Sequence, residues 1–163
     1  MRQRRAGKAA ADANSPQAQL DGFLAKYTPG MAAEARAALA RLRRLVPGAV
    51  QLVYDNYNAL VVGFCPSERA SEAVVSLAVQ PRRVNLCFLQ GGPQLPDPDN
   101  LLKGSGSIAR HIPLESARDL DKPAVRALVN VALARAMVPI DTSGRGRLII
   151  RSISAKQRPR RPA

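Results

Sequence analysis

The stretch DPDNLLKGSGSIARHIPL, Asp97 to Leu114, gathers the side chains of this sequence best suited to chemistry. Lys103 precedes Gly104-Ser105-Gly106, and Arg110 stands beside His111, the only histidine. Such residues serve a phosphate cradle, a histidine-centred active site or a cationic pocket. A phosphate cradle runs strand, glycines, helix, so that free N–H groups and the positive end of the helix dipole face the anion. Here the order is reversed. Asp97 suits a helix N-cap, Pro98 the first helical position and Gly104 the position just past the end. The spacing therefore predicts a short helical turn over 98–103 and a strand over 107–114. The glycines follow the turn, where carbonyls point outward, and the Gly-x4-Gly-Lys-Ser/Thr pattern is absent.

A catalytic triad would need a nucleophile, His111 and an orienting carboxylate to converge. Ser105, Ser107 and Asp55 are of the right types, but no spacing demands that set, and no catalytic residue is assigned. His111 reads as a partly buried strand histidine, with Arg110 on the opposite sheet face. One histidine and two cysteines are too few for a closed zinc site, so no metal or cofactor is assigned. Cys65 and Cys87 lie in apolar strand-like runs and read as small, reduced core residues.

The cationic pocket remains. Lys103, Arg110, Arg151 and Lys156, with His111 and a backbone nest over Gly104, Ser105 and Gly106, would bind a phosphate or carboxylate if they converge. Tyr54, Asn56 or Asn85 would stand nearby. The alternative is that these are separate surface charges and the glycines only permit a turn.

Several elements must position these groups. Leu20, Phe23, Leu24 and Tyr27 recur at helical spacing after Gln17, and a second helix is expected over Met31–Leu45 before Pro47-Gly48. The period then changes to two. VQLVYDNY, ALVVGFC, AVVSLAVQ and VNLCFLQ read as four consecutive strands joined by brief turns, an antiparallel meander. Asp121-Lys122-Pro123 opens a last long helix burying Val125, Leu128, Val129, Ala132, Leu133 and Ala136, and RLIIRSIS is a final strand. The fold class is α+β: an antiparallel sheet of about five to six strands, two N-terminal helices and one later long helix.

A length of 163 residues fits one domain, and 46% hydrophobic with 23% charged residues is globular composition. No apolar run approaches a membrane span and no apolar core follows the N-terminal arginines, which points to the cytoplasm. The formal net charge of +13 is concentrated at the ends. Residues 1–8 carry four basic residues and residues 145–163 carry seven, with no acid in either stretch, and the middle is close to neutral. Such termini either bind polyanions or stay solvated. Tyr54, Tyr57, Phe64 and Phe88 fall on strand segments, as base-stacking or as core residues.

The string DPDNLLKGSGSIARHIPLESARDLDKPAVRALV, with YDNYNALVVGF before it and IIRSISAKQRPRRP after it, resembles the YdhG-like family. These are small bacterial domains of mostly unknown function. The resemblance covers about residues 20–158 and implies an α+β fold, while composition reads as a disordered basic lead-in (1–16), one domain over 17–156 and a basic, proline-containing tail (157–163). Some YdhG-like proteins are described as frataxin-like iron chaperones, which need clustered carboxylates. Here Glu34 is accompanied by Arg36, Arg41, Arg43 and Arg44, and Asp97 and Asp121 read as caps. The expected function is a non-enzymatic module for a small anionic ligand or a partner protein. Nucleic-acid or polyanion association through the termini, and iron carriage, are the alternatives.

Overall fold

The computed structural model describes residues 13–163. Most of the expected lead-in, residues 1–12, lies outside them. Helix α1 (Pro16–Leu24) starts where Ser15 accepts a hydrogen bond from the Ala18 N–H at 3.1 Å, with proline in the first turn. Helix α2 (Pro29–Leu45) repeats the device with Thr28, and presents Ala32, Ala35, Ala38, Leu39 and Leu42 to the core. These small residues at helical spacing let α2 lie close on its neighbours.

Strands β1 (Val50–Asp55), β2 (Leu60–Cys65), β3 (Val75–Gln80) and β4 (Arg83–Phe88) form the expected meander. Strand β5 (Arg110–Leu114) adds antiparallel to β4. The chain then passes through a 3-10 turn, Ala117–Asp121, and helix α3 (Pro123–Ala134). It returns as β6 (Arg147–Ile153) on the far side of β1. The sheet order is β5-β4-β3-β2-β1-β6.

Two expectations are corrected. The sheet is mixed, because β6 runs parallel to β1. A long crossover carrying a helix can reach the distant edge and enter in the same direction, which a hairpin cannot. The helical turn over 98–103 does not form either. The Asp97 carboxylate instead accepts the Leu101 and Leu102 N–H groups, both at 2.8 Å, around a tight turn with Asn100 at φ 55°. Asp121 is also no helix cap: it closes the 3-10 turn and pairs with Arg41 of α2 at 3.1 Å.

Alternation along the strands makes two faces. Val53, Leu60, Val62, Phe64, Leu77, Leu86 and Phe88 pack with all three helices into the main core. On the opposite face Val50, Leu52 and Cys65 form a smaller cluster with Tyr54, Ala73 and Ile149. Among the described residues no helix is long and apolar enough to cross a membrane.

Candidate functional site

The expected cationic pocket does not assemble. Lys103, Arg110 and His111 sit at the β5 edge, whereas Arg151 is on β6 at the other edge and Lys156 follows it. Five strand spacings separate those edges, about 24 Å. The adjacency is missing because the parallel return of β6 places it beside β1 rather than β5.

The β5 side does gather part of the set. Lys103 N–H donates to the His111 carbonyl at 2.7 Å, and His111 N–H donates back at 3.0 Å. Between them the chain loops through Gly104–Ala109. Gly104 adopts φ 116°, which favours glycine, whereas Gly106 has open space around it. The Arg110 guanidinium folds back and donates to the carbonyls of Gly106 and Ala109. The loop thus satisfies its own arginine, and its carbonyls, not its N–H groups, face the charge. This is a turn braced by Arg110 rather than an anion nest.

His111 also faces Cys87 across the β4–β5 pair, and Cys87 faces Ser76 on β3, so Ser76, Cys87, His111 and Lys103 form one cross-strand row. A nucleophilic thiol needs a lowered pKa. Burial pushes the Cys87 thiol up, with a smaller opposing effect from its hydrogen bond with Ser76. Cys65 lies on β2, two strands away, and both cysteines are free.

Two of the acids are already engaged. Glu34 accepts the Ala117 N–H at 2.8 Å, and Asp119 pairs with Lys122 at 3.0 Å. Among the described residues no three His, Cys, Asp or Glu side chains gather into a group able to hold a metal ion.

Asp55 organises the other end of the molecule. Fully buried at the end of β1, it meets Lys26 at 2.6 Å and Arg160 at 3.0 Å. Burial alone would push its carboxyl up, but Lys26, Gln157 and Arg160 outweigh that and hold it below the usual range. Arg160 is 4% exposed, lies over the Tyr27 ring, and also donates to the carbonyls of Asn56 and Tyr57. Gln157 donates to the Asp55 carbonyl at 2.9 Å, and Arg158 N–H donates to the Tyr57 carbonyl at 2.8 Å. The basic tail is therefore docked, with one of its arginines spent as a buried counterion.

Docking the tail creates a cleft. The turn between β3 and β4, the turn between β1 and β2, and residues 158–162 border an open cleft of about 710 Å³. Arg82, Arg83 and Arg158 line it with the amides of Asn58 and Gln80, against the rings of Pro81, Pro159 and Pro162. No acidic side chain lines it. Among the described residues none of the three arginines has an ion-pair partner. Sequence reasoning passed over Arg82 and Arg83 as a mere turn between strands; the signal was a basic pair at a tight turn. Arg158 could be placed opposite them only once the tail was docked.

Compared with protein-family models, curated proteins and solved structures, the chain matches none.

Proposed function

We propose that this chain is a non-enzymatic binding module whose ligand presents a phosphate or carboxylate to the cleft between the β3–β4 turn and the docked tail. One observation carries the reading: three arginines, unpaired among the described residues, line one cleft that has no acid in its wall. Guanidinium forks match the two-oxygen geometry of such anions, and exposed, unneutralised ones are available to a ligand without first breaking an ion pair. Amides, guanidiniums and proline rings supply no general acid or base near neutral pH, which favours binding over catalysis. A YdhG-like kinship, and a cytoplasmic setting for this role, belong to the same proposal.

Calorimetric titration with inorganic phosphate, pyrophosphate and citrate tests it. Saturable binding of one of them, weakened at least tenfold in Arg82→Ala/Arg83→Ala and in Arg158→Ala, is expected. Absence of binding, or binding indifferent to these arginines, overturns it.

A further inference from the structure

Resting on that reading, we infer that the anion is the backbone of a single-stranded nucleic acid, held over a short stretch with one base stacked at the cleft mouth. The cleft volume of about 710 Å³ far exceeds a lone phosphate, and its three arginines give room for successive phosphates. Beside it stands an aromatic platform. Tyr57 is 47% exposed, unusual in a chain with only 4% aromatic residues, and the Arg158 guanidinium lies 5.5 Å from its ring centroid. A phenol ring next to phosphate-binding arginines is a surface on which unpaired bases stack. Asn58 and Gln80 add exposed amides without a protein partner among the described residues, suited to base edges.

A duplex fits less well, since its bases are already stacked inside and cannot reach Tyr57. A second cavity, of about 690 Å³, shares Arg82 and Arg83 and is lined further by Lys103, Lys122, Glu115 and Asp119, with Asp119 already paired to Lys122. It lacks the aromatic platform that Tyr57 gives the tail side. The net charge of +13 adds long-range attraction that is not specific to the site.

The test is fluorescence anisotropy of the full chain with labelled oligothymidylates of about three, six and twelve nucleotides, near the smallest site sizes of single-strand binders. A hairpin duplex, inorganic polyphosphate and free phosphate serve as competitors. Tyr57→Ala leaves every charge in place and removes the platform together with the ring under Arg158. It is expected to weaken oligonucleotide binding about tenfold and phosphate binding far less, and Tyr57→Phe, which keeps the ring, should restore both. Three phosphate contacts predict a log–log salt slope of about −2. Polyphosphate or duplex competing as well as the single strand, or indifference to Tyr57→Ala, overturns this inference while the anion site stands. Absence of phosphate binding by the unaltered chain sinks both.

Discussion

Arg160 and Asp55 form a buried ion pair, 3.0 Å from Nη2 to Oδ1, with side chains 3% and 0% exposed. It fastens the last described residues to the end of β1, and through them it sets one wall of the arginine-lined cleft. Removing one partner of such a pair leaves a desolvated charge behind.

Arg160→Ala is therefore expected to lower stability by about 3 kcal/mol, the low end of the range for breaking a buried pair. Lys26 remains on Asp55, and its side chain is 41% exposed and keeps part of its hydration. Urea unfolding measures the loss. The same variant should bind phosphate more weakly, because Arg158 is no longer held opposite Arg82 and Arg83. Unchanged stability would mean that the tail is not fastened by this pair.

The Asp55 carboxyl is held below its ordinary value in the folded chain. A depressed folded pKa contributes stability that is fully present above the unfolded value, about 3.9, and is lost as pH falls through the folded one. The urea midpoint of the wild-type chain should thus drop more steeply below about pH 4 than that of Asp55→Asn, which has no such proton to take up. Parallel acid limbs would refute the assignment.

The two loop glycines should separate sharply. Gly104→Ala forces a side chain into φ 116° and is expected to cost about 1–3 kcal/mol. Gly106→Ala meets open space and should be neutral within about 1 kcal/mol. Thermal unfolding of the two variants side by side checks this.

Tyr27 is 1% exposed, and its hydroxyl donates to the Val79 carbonyl at 2.7 Å while accepting the Leu60 N–H at 3.3 Å. Tyr27→Phe keeps the ring under Arg160 and removes both bonds, an expected loss of about 1–3 kcal/mol by urea unfolding.

Burial, with a smaller contribution from the Glu72 charge, pushes the Cys65 thiol up to about 11. Thiol titration of the native chain near neutral pH should leave Cys65 unreacted until urea exposes it. Rapid native labelling of Cys65 would contradict its burial in the smaller sheet-face cluster.

Local pattern determined much of this protein. The period of two from Val50 to Phe88 specified four strands and their hairpins, because each residue there pairs with a near neighbour in sequence. Helical spacing located the helices, and the structure adds Ser15 and Thr28 as caps that act within one turn. What required tertiary structure was every pairing between distant segments. The parallel seat of β6 beside β1 separated Arg151 from Arg110. Asp55 is fully buried because Arg160, from the other end of the chain, supplies its counterion. Charge and composition cannot show which of seven C-terminal cations will be desolvated, since that depends on which carboxylate the fold brings to meet it. The arginine cleft belongs to this second class: its residues were visible in the sequence, and only the docked tail made them neighbours.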